Sequence, residues 1–264
     1  YMGLIANCGT LFGSVMNLII LPMAGWREVF VFCGVLGAVV MLLIGFCMNE
    51  SPRWLALNGH NDKADAIVSK LEAKAAAGGK EVPAVPAEEI ERREQEQEIK
   101  QLPFSFLFKK KMITRTITAM LLCFTMNVIV YTVITWTPTI LRANGFDTSL
   151  ATLTTVVMQM GIPIGVGLLT FYVEKVNRKV ILIGSYLAVA ILGPVWAMLP
   201  TDNVALIMGF GLLVCVFTFT NSVTTAAIYL SEPFPTACRI RGAGVANAVG
   251  RLGGIFSPMW IAFF

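Results

Sequence analysis

Charge is scarce in this sequence. Asp, Glu, Lys and Arg make up 14% of its 264 residues, too few to cover a water-soluble globule whose apolar share is 56%. Histidine is confined to His60, so neither an HExxH zinc site nor a Ser-His-Asp relay can be assembled. No GxSxG elbow, P-loop or dinucleotide GxGxxG string occurs. The six cysteines, Cys8, Cys33, Cys47, Cys123, Cys215 and Cys238, never take CxxC spacing. Five of them lie in apolar runs, where a thiol acts as a small apolar residue, so no disulfide is expected. Together these absences argue against an enzyme, and no metal, cofactor or nucleic acid is expected as a partner.

What the chain has instead is long apolar runs, with a mean hydropathy of +0.73. A bilayer core about 30 Å thick takes roughly 20 apolar residues to cross as a helix. Seven such runs fall near 1–24, 27–48, 113–140, 149–173, 180–200, 204–230 and 242–264. The expected fold is all-α and polytopic. No charged region or cleavage site precedes the first run, so it does not read as a signal peptide. A chain that opens and closes in apolar sequence is expected to be part of a longer protein.

Lysine and arginine fix the expected orientation. The stretch 49–112 with Arg115 holds most of them; Lys175, Arg178 and Lys179 follow the fourth run, and Arg239 and Arg241 follow the sixth. The opposite loops carry only Arg27 and Arg142, so the positive-inside rule puts the rich side in the cytoplasm. Residues 51–112 then form a cytoplasmic loop between a two-span segment, 1–50, and a five-span segment, 113–264. Within it, Asn61 or Asp62 is placed to cap a helix ended by Gly78 and Gly79, and Pro83 and Pro86 make a linker. A second helix should carry Glu88/Arg92, Glu89/Arg93 and Glu96/Lys100 four residues apart. Phe104, Phe106 and Phe108, followed by Lys109, Lys110 and Lys111, read as an interfacial segment whose rings sit at headgroup depth while the lysines meet anionic lipid.

Three strings lie at the basic ends of the runs. Glu50-Ser51-Pro52-Arg53-Trp54 closes the second, Glu174-Lys175-Val176-Asn177-Arg178-Lys179 follows the fourth, and Ser231-Glu232-Pro233-Phe234-Pro235-Thr236 with Arg239 and Gly242 follows the sixth. In order and spacing they resemble the sugar and organic-ion porter branch of the major facilitator superfamily, with the runs standing for helices five to eleven and the twelfth missing. The second string departs from the family's D-R-x-G-R-K at Glu174 and Asn177, the latter being expected to supply the left-handed backbone of the family's glycine. The resemblance implies a multi-pass bacterial inner-membrane transporter, monomeric, moving a small organic solute by alternating access, with proton coupling carried by helices outside this chain. It also implies a cytoplasmic gate built from Glu50, Arg53, Glu174, Arg178, Glu232 and Arg239, whose ion pairs part when the inside opens.

Substrate contacts are expected from polar side chains at mid-membrane depth: Asn127, Tyr131, Gln159, Asn221, Thr225, Asn247 and Arg251. For the uncharged ones, hydrogen bonding between helices is an equally good reading. Arg251 differs because no Asp or Glu of the chain shares its depth, about 14 Å along the helix from Gly242. The string Gly250-Arg251-Leu252-Gly253-Gly254-Ile255-Phe256-Ser257-Pro258 resembles the helix-eleven arginine segment of organic-anion transporters, which implies a carboxylate substrate held by the guanidinium. A neutral-sugar porter, or a membrane sensor that binds without transporting, remains open. A seven-span receptor fits the charge bias poorly. The pairs Gly9/Gly13, Gly161/Gly165 and Gly250/Gly254 suit close helix packing, and Pro22, Pro138, Pro163, Pro194 and Pro258 permit bends.

Overall fold

The structure is a computed structural model that describes residues 2–78, 103–110, 112–235 and 238–263. Among these, every regular element is helical. The elements are α1 (Met2–Ala24), α2 (Trp26–Cys47), α3 (Pro52–Leu57), α4 (Asn61–Ala77), α5 (Ile113–Tyr131), α6 (Thr137–Ala143), α7 (Thr148–Gln159), α8 (Gly161–Tyr172), α9 (Arg178–Ala197), α10 (Val204–Val223) and α11 (Arg239–Phe263). Six helical stretches among the described residues are long and apolar enough to cross a membrane: Gly3–Ala24, Trp26–Cys47, Ile113–Ala143, Thr148–Tyr172, Arg178–Ala197 and Val204–Ile228. The seventh expected span, α11, has the length but not the apolarity, because Asn247 and Arg251 interrupt it.

Two units are described separately. In the first, residues 26–100, no residue of α2 is buried. Beyond it Ser51 caps α3 by accepting a hydrogen bond from the Trp54 backbone nitrogen, and Pro52 stands in the first turn, where its missing N–H costs nothing. The loop helix α4 runs over most of the expected range and stops at Gly78. Its N-cap position is His60, not Asn61 or Asp62, and no side chain caps it. The expected second loop helix, with Pro83 and Pro86, lies outside the described residues.

The second unit joins α1 to everything after residue 100. Its tight places are set by glycine. A methyl group at Gly161 or Gly165 would run into the backbone carbonyls of Leu212 and Val216, so α8 and α10 touch main chain to main chain. Across the other seam, Gly250, Gly253 and Gly254 of α11 lie against Cys123, Phe124, Asn127 and Tyr131 of α5. By contrast Gly9 and Gly13 have nothing within 4 Å, so the first expected pair packs against no described residue.

Proline accounts for two of the breaks. Pro163 removes the helical bond to the Gln159 carbonyl, and there the long span divides into α7 and α8. Pro138 stands in the first turn of α6, directly after the wide π turns of 132–136, which relieve its ring of the carbonyl one turn back. Pro22, Pro194 and Pro258 sit inside uninterrupted helices. A second π segment, Thr224–Ile228, ends α10 without proline.

At the basic end, the short 3₁₀ helix Phe104–Phe108 is bound to the bundle through Leu107, fully buried in a cluster with Met112, Ala119, Cys123, Leu230, Phe234, Cys238 and Ala246. The Thr116 hydroxyl donates to the Leu107 carbonyl at 2.9 Å, and Arg115 donates to the Pro233 carbonyl at 3.3 Å. Cys238 is almost wholly buried, and burial pushes its thiol above the ordinary range, so both access and thiolate character are reduced. Maleimide at pH 7 should leave Cys238 unlabelled until detergent denaturation exposes it, as read by peptide mass spectrometry; rapid labelling of the folded protein would contradict this packing.

Candidate functional site

The residues expected to touch substrate fall into three places. Arg251 and Tyr131 meet in the α5–α11 seam, where the guanidinium donates to the tyrosine hydroxyl at 2.9 Å. Gly254, one turn away from Gly250 on α11, leaves room for the Tyr131 ring, which an added methyl group would strike. Arg251 is exposed, and among the described residues no carboxylate pairs with it. A neutral hydroxyl orients the guanidinium without cancelling its charge. Asn247, one turn nearer the basic end, is also exposed, and its amide donates to its own helix at the Ala243 carbonyl. Asn127 is buried below Tyr131, with its amide donating to the Cys123 carbonyl and its side chain against Gly250.

The second place lies between α9 and α10. Asn221 donates to the Ser185 hydroxyl at 3.2 Å and accepts from Thr225 at 3.5 Å, with all three residues buried. The third joins α1 to the kink between α7 and α8, where the Ser14 hydroxyl donates to the side-chain oxygen of Gln159. Asn221 and Gln159 therefore make helix-to-helix contacts, with Thr225 bound to Asn221 one turn back, and the expected substrate set divides into exposed Arg251, which meets Tyr131, exposed Asn247, and buried side chains elsewhere. Sequence reasoning missed Ser14, Ser185 and Ser257, whose hydroxyl lies 3.0 Å from that of Thr132 across the α5–α11 seam. Small hydroxyls in apolar runs carry no signal of what they face.

Of the six residues expected at the gate, Arg178 and Glu232 form a salt bridge that ties the start of α9 to the segment after α10. Both are substantially solvated, so the pair is weak in isolation. Glu174 lines the same cleft, of about 620 Å³, with Lys179 and Tyr229. Asn177 does not adopt the expected left-handed backbone: its φ is −59°, and its side chain caps α9 by accepting from the Lys179 nitrogen at 3.0 Å. An N-cap needs extended backbone before the helix, and asparagine serves that role as well as it would a glycine turn. Arg239 opens α11. Glu50 lies in the other unit, beside Trp54, His60 and Lys63, and the Arg53 side chain lies outside the described part.

Six helical stretches long and apolar enough to cross a membrane, with close glycine contacts between helices of the second unit, are the architecture of a multi-pass membrane protein. The comparisons narrow this further. The chain belongs to the family described as sugar (and other) transporter, which matches residues 1–264. This is a major facilitator family of transporters, not of enzymes. Among relatives, the inner membrane metabolite transport protein YdjE of Escherichia coli is 29% identical over 99% of this chain and 57% of its own length. The 4-hydroxybenzoate transporter PcaK of Acinetobacter baylyi is 27% identical over 97% of the chain and 54% of its own. The arabinose-proton symporter of Bacillus subtilis is 28% identical over 91% and 52%. The chain thus spans about half the length of these relatives.

Proposed function

We infer that the whole protein is a secondary active transporter moving a small organic anion, a carboxylate, by alternating access. Arg251 is the observation that carries this reading: an exposed guanidinium in mid-helix, steadied by Tyr131 and paired with no described carboxylate. A planar fork in that position recognises a carboxylate through two parallel hydrogen bonds. The likeness to a 4-hydroxybenzoate transporter supports the same class. A sugar would need free amides, and Asn127, Gln159 and Asn221 are engaged with neighbouring helices or their own backbone. In this reading residues 1–50 end one six-helix half, 51–112 form a cytoplasmic connector, and 113–264 belong to the other half. The site is a bacterial inner membrane, the protein acts as a monomer, and protons drive it.

The test is uptake by the full-length protein in proteoliposomes of a labelled panel of carboxylates, hexoses and organic cations, with and without an inward proton gradient. Saturable, gradient-dependent carboxylate uptake is expected. Hexose uptake alone would replace the reading with the sugar porter, and saturable binding without flux would replace it with the sensor.

The Arg178–Glu232 pair acts as part of the cytoplasmic gate. Removing one charge with Glu232→Gln should weaken closure by about 1 kcal/mol, since the pair is solvated. Alkylation of a cysteine introduced in the cavity should then rise severalfold from the cytoplasmic side, and the double variant with Arg178→Gln should add little to it. Unchanged alkylation would reduce the pair to a topological marker.

A further inference from the structure

The short 3₁₀ helix ahead of α5 has two unlike faces. One is bound into the bundle through buried Leu107 and half-buried Phe106. The other presents Phe104 and Phe108, 54% and 47% exposed, with ring centroids 5.7 Å apart. About half of each ring is left uncovered by the described residues. Lys109 and Lys110 follow at once, both exposed, with the Lys109 ammonium 5.8 Å from the Phe106 ring. The hydrogen bonds from Thr116 to Leu107 and within the Lys109–Ile113 turn hold the segment at the basic end of the α5 span.

Depth follows from that anchoring. The span Ile113–Ala143 begins four residues after Lys109, so the phenylalanine pair stands at the level where hydrocarbon gives way to headgroups. Exposed rings there, followed by ammonium groups, suit one occupant: an anionic phospholipid, its upper acyl chain against Phe104 and Phe108 and its phosphate against Lys109 and Lys110. A cytosolic protein partner would meet a site of two rings only, far below the area of a stable interface. We propose that this segment is a docking site for an anionic phospholipid of the adjoining leaflet. The observation is independent of which solute the protein moves. Of the three phenylalanines read as interfacial in the sequence, the structure turns Phe106 inward and leaves Phe104 and Phe108 to make the contact.

The experiment uses the full-length protein in nanodiscs of phosphatidylethanolamine and phosphatidylglycerol, with photoreactive benzoylphenylalanine placed at 108. After irradiation, mass spectrometry identifies what is attached. Phosphatidylglycerol is expected above its mole fraction, and Lys109→Gln with Lys110→Gln should lower its preference over phosphatidylethanolamine about tenfold, bringing its share back toward the mole fraction. The same double variant leaves the buried Leu107 anchor intact, and its thermal stability in detergent checks that the fold survives. Attachment to both lipids in proportion to their abundance, attachment within the protein itself, or a lysine-independent yield would each overturn the proposal.

Discussion

Arg251→Ala in the full-length protein is expected to reduce carboxylate uptake at low substrate concentration by about ten- to a hundredfold, the size of a lost charge-assisted hydrogen-bond pair. The effect should appear as a raised apparent KM, because the fork binds the ground state. Arg251→Lys should restore little. An ammonium on a flexible stem neither presents two parallel donors nor keeps the contact with Tyr131 that aims the side chain. Tyr131→Phe removes only that orienting hydroxyl and should cost severalfold at most. If Arg251→Ala transports normally, the arginine is structural and the carboxylate assignment falls.

Gly165→Ala should be among the most damaging single-methyl additions available in the chain. The added carbon meets the Val216 backbone carbonyl, which cannot rotate aside as a side chain would, so α8 and α10 must separate. Overpacking of this kind costs about 3 kcal/mol, and the melting temperature in detergent should fall by roughly 5–10 °C. Gly167, two residues on, is the control: the nearest atom to an added carbon is a Leu4 methyl at 4.0 Å, so Gly167→Ala should be neutral or slightly stabilising through better helix propensity. Equal melting temperatures for the two variants would show that the α8–α10 contact is looser than the structure has it.

The contrast between these glycines marks how far sequence reading reached. Hydropathy located the helices, because lipid allows few alternatives to an apolar run of that length. It could not tell Gly161 and Gly165, which touch another backbone, from Gly9 and Gly13, which touch nothing described, since spacing alone does not record which way a helix faces. Asn177 was legible as a turn residue but not as a cap, because both roles favour asparagine and only φ separates them. Of the mid-membrane polar residues, Arg251 stood out through its charge. The division of the others into exposed and engaged depended on Ser14 and Ser185, hydroxyls that the sequence gives no reason to single out. The π segments at 132–136 and Thr224–Ile228 left no trace in composition at all.

The neutral partner of Arg251 has an electrical consequence. On the proposed reading, Arg251 with the Tyr131 hydroxyl contributes one positive charge, with no carboxylate among the described residues to pair it, and a bound carboxylate offsets it. A membrane potential does work of about 2.3 kcal/mol per 100 mV on a charge that crosses the whole field. On that reading, loading changes the charge that this site takes through the field by one unit, on top of whatever the coupling proton contributes, so voltage weighs differently on the empty and the loaded steps. A jump in carboxylate concentration over the full-length protein on a solid-supported membrane should then give a transient current that Arg251→Ala abolishes.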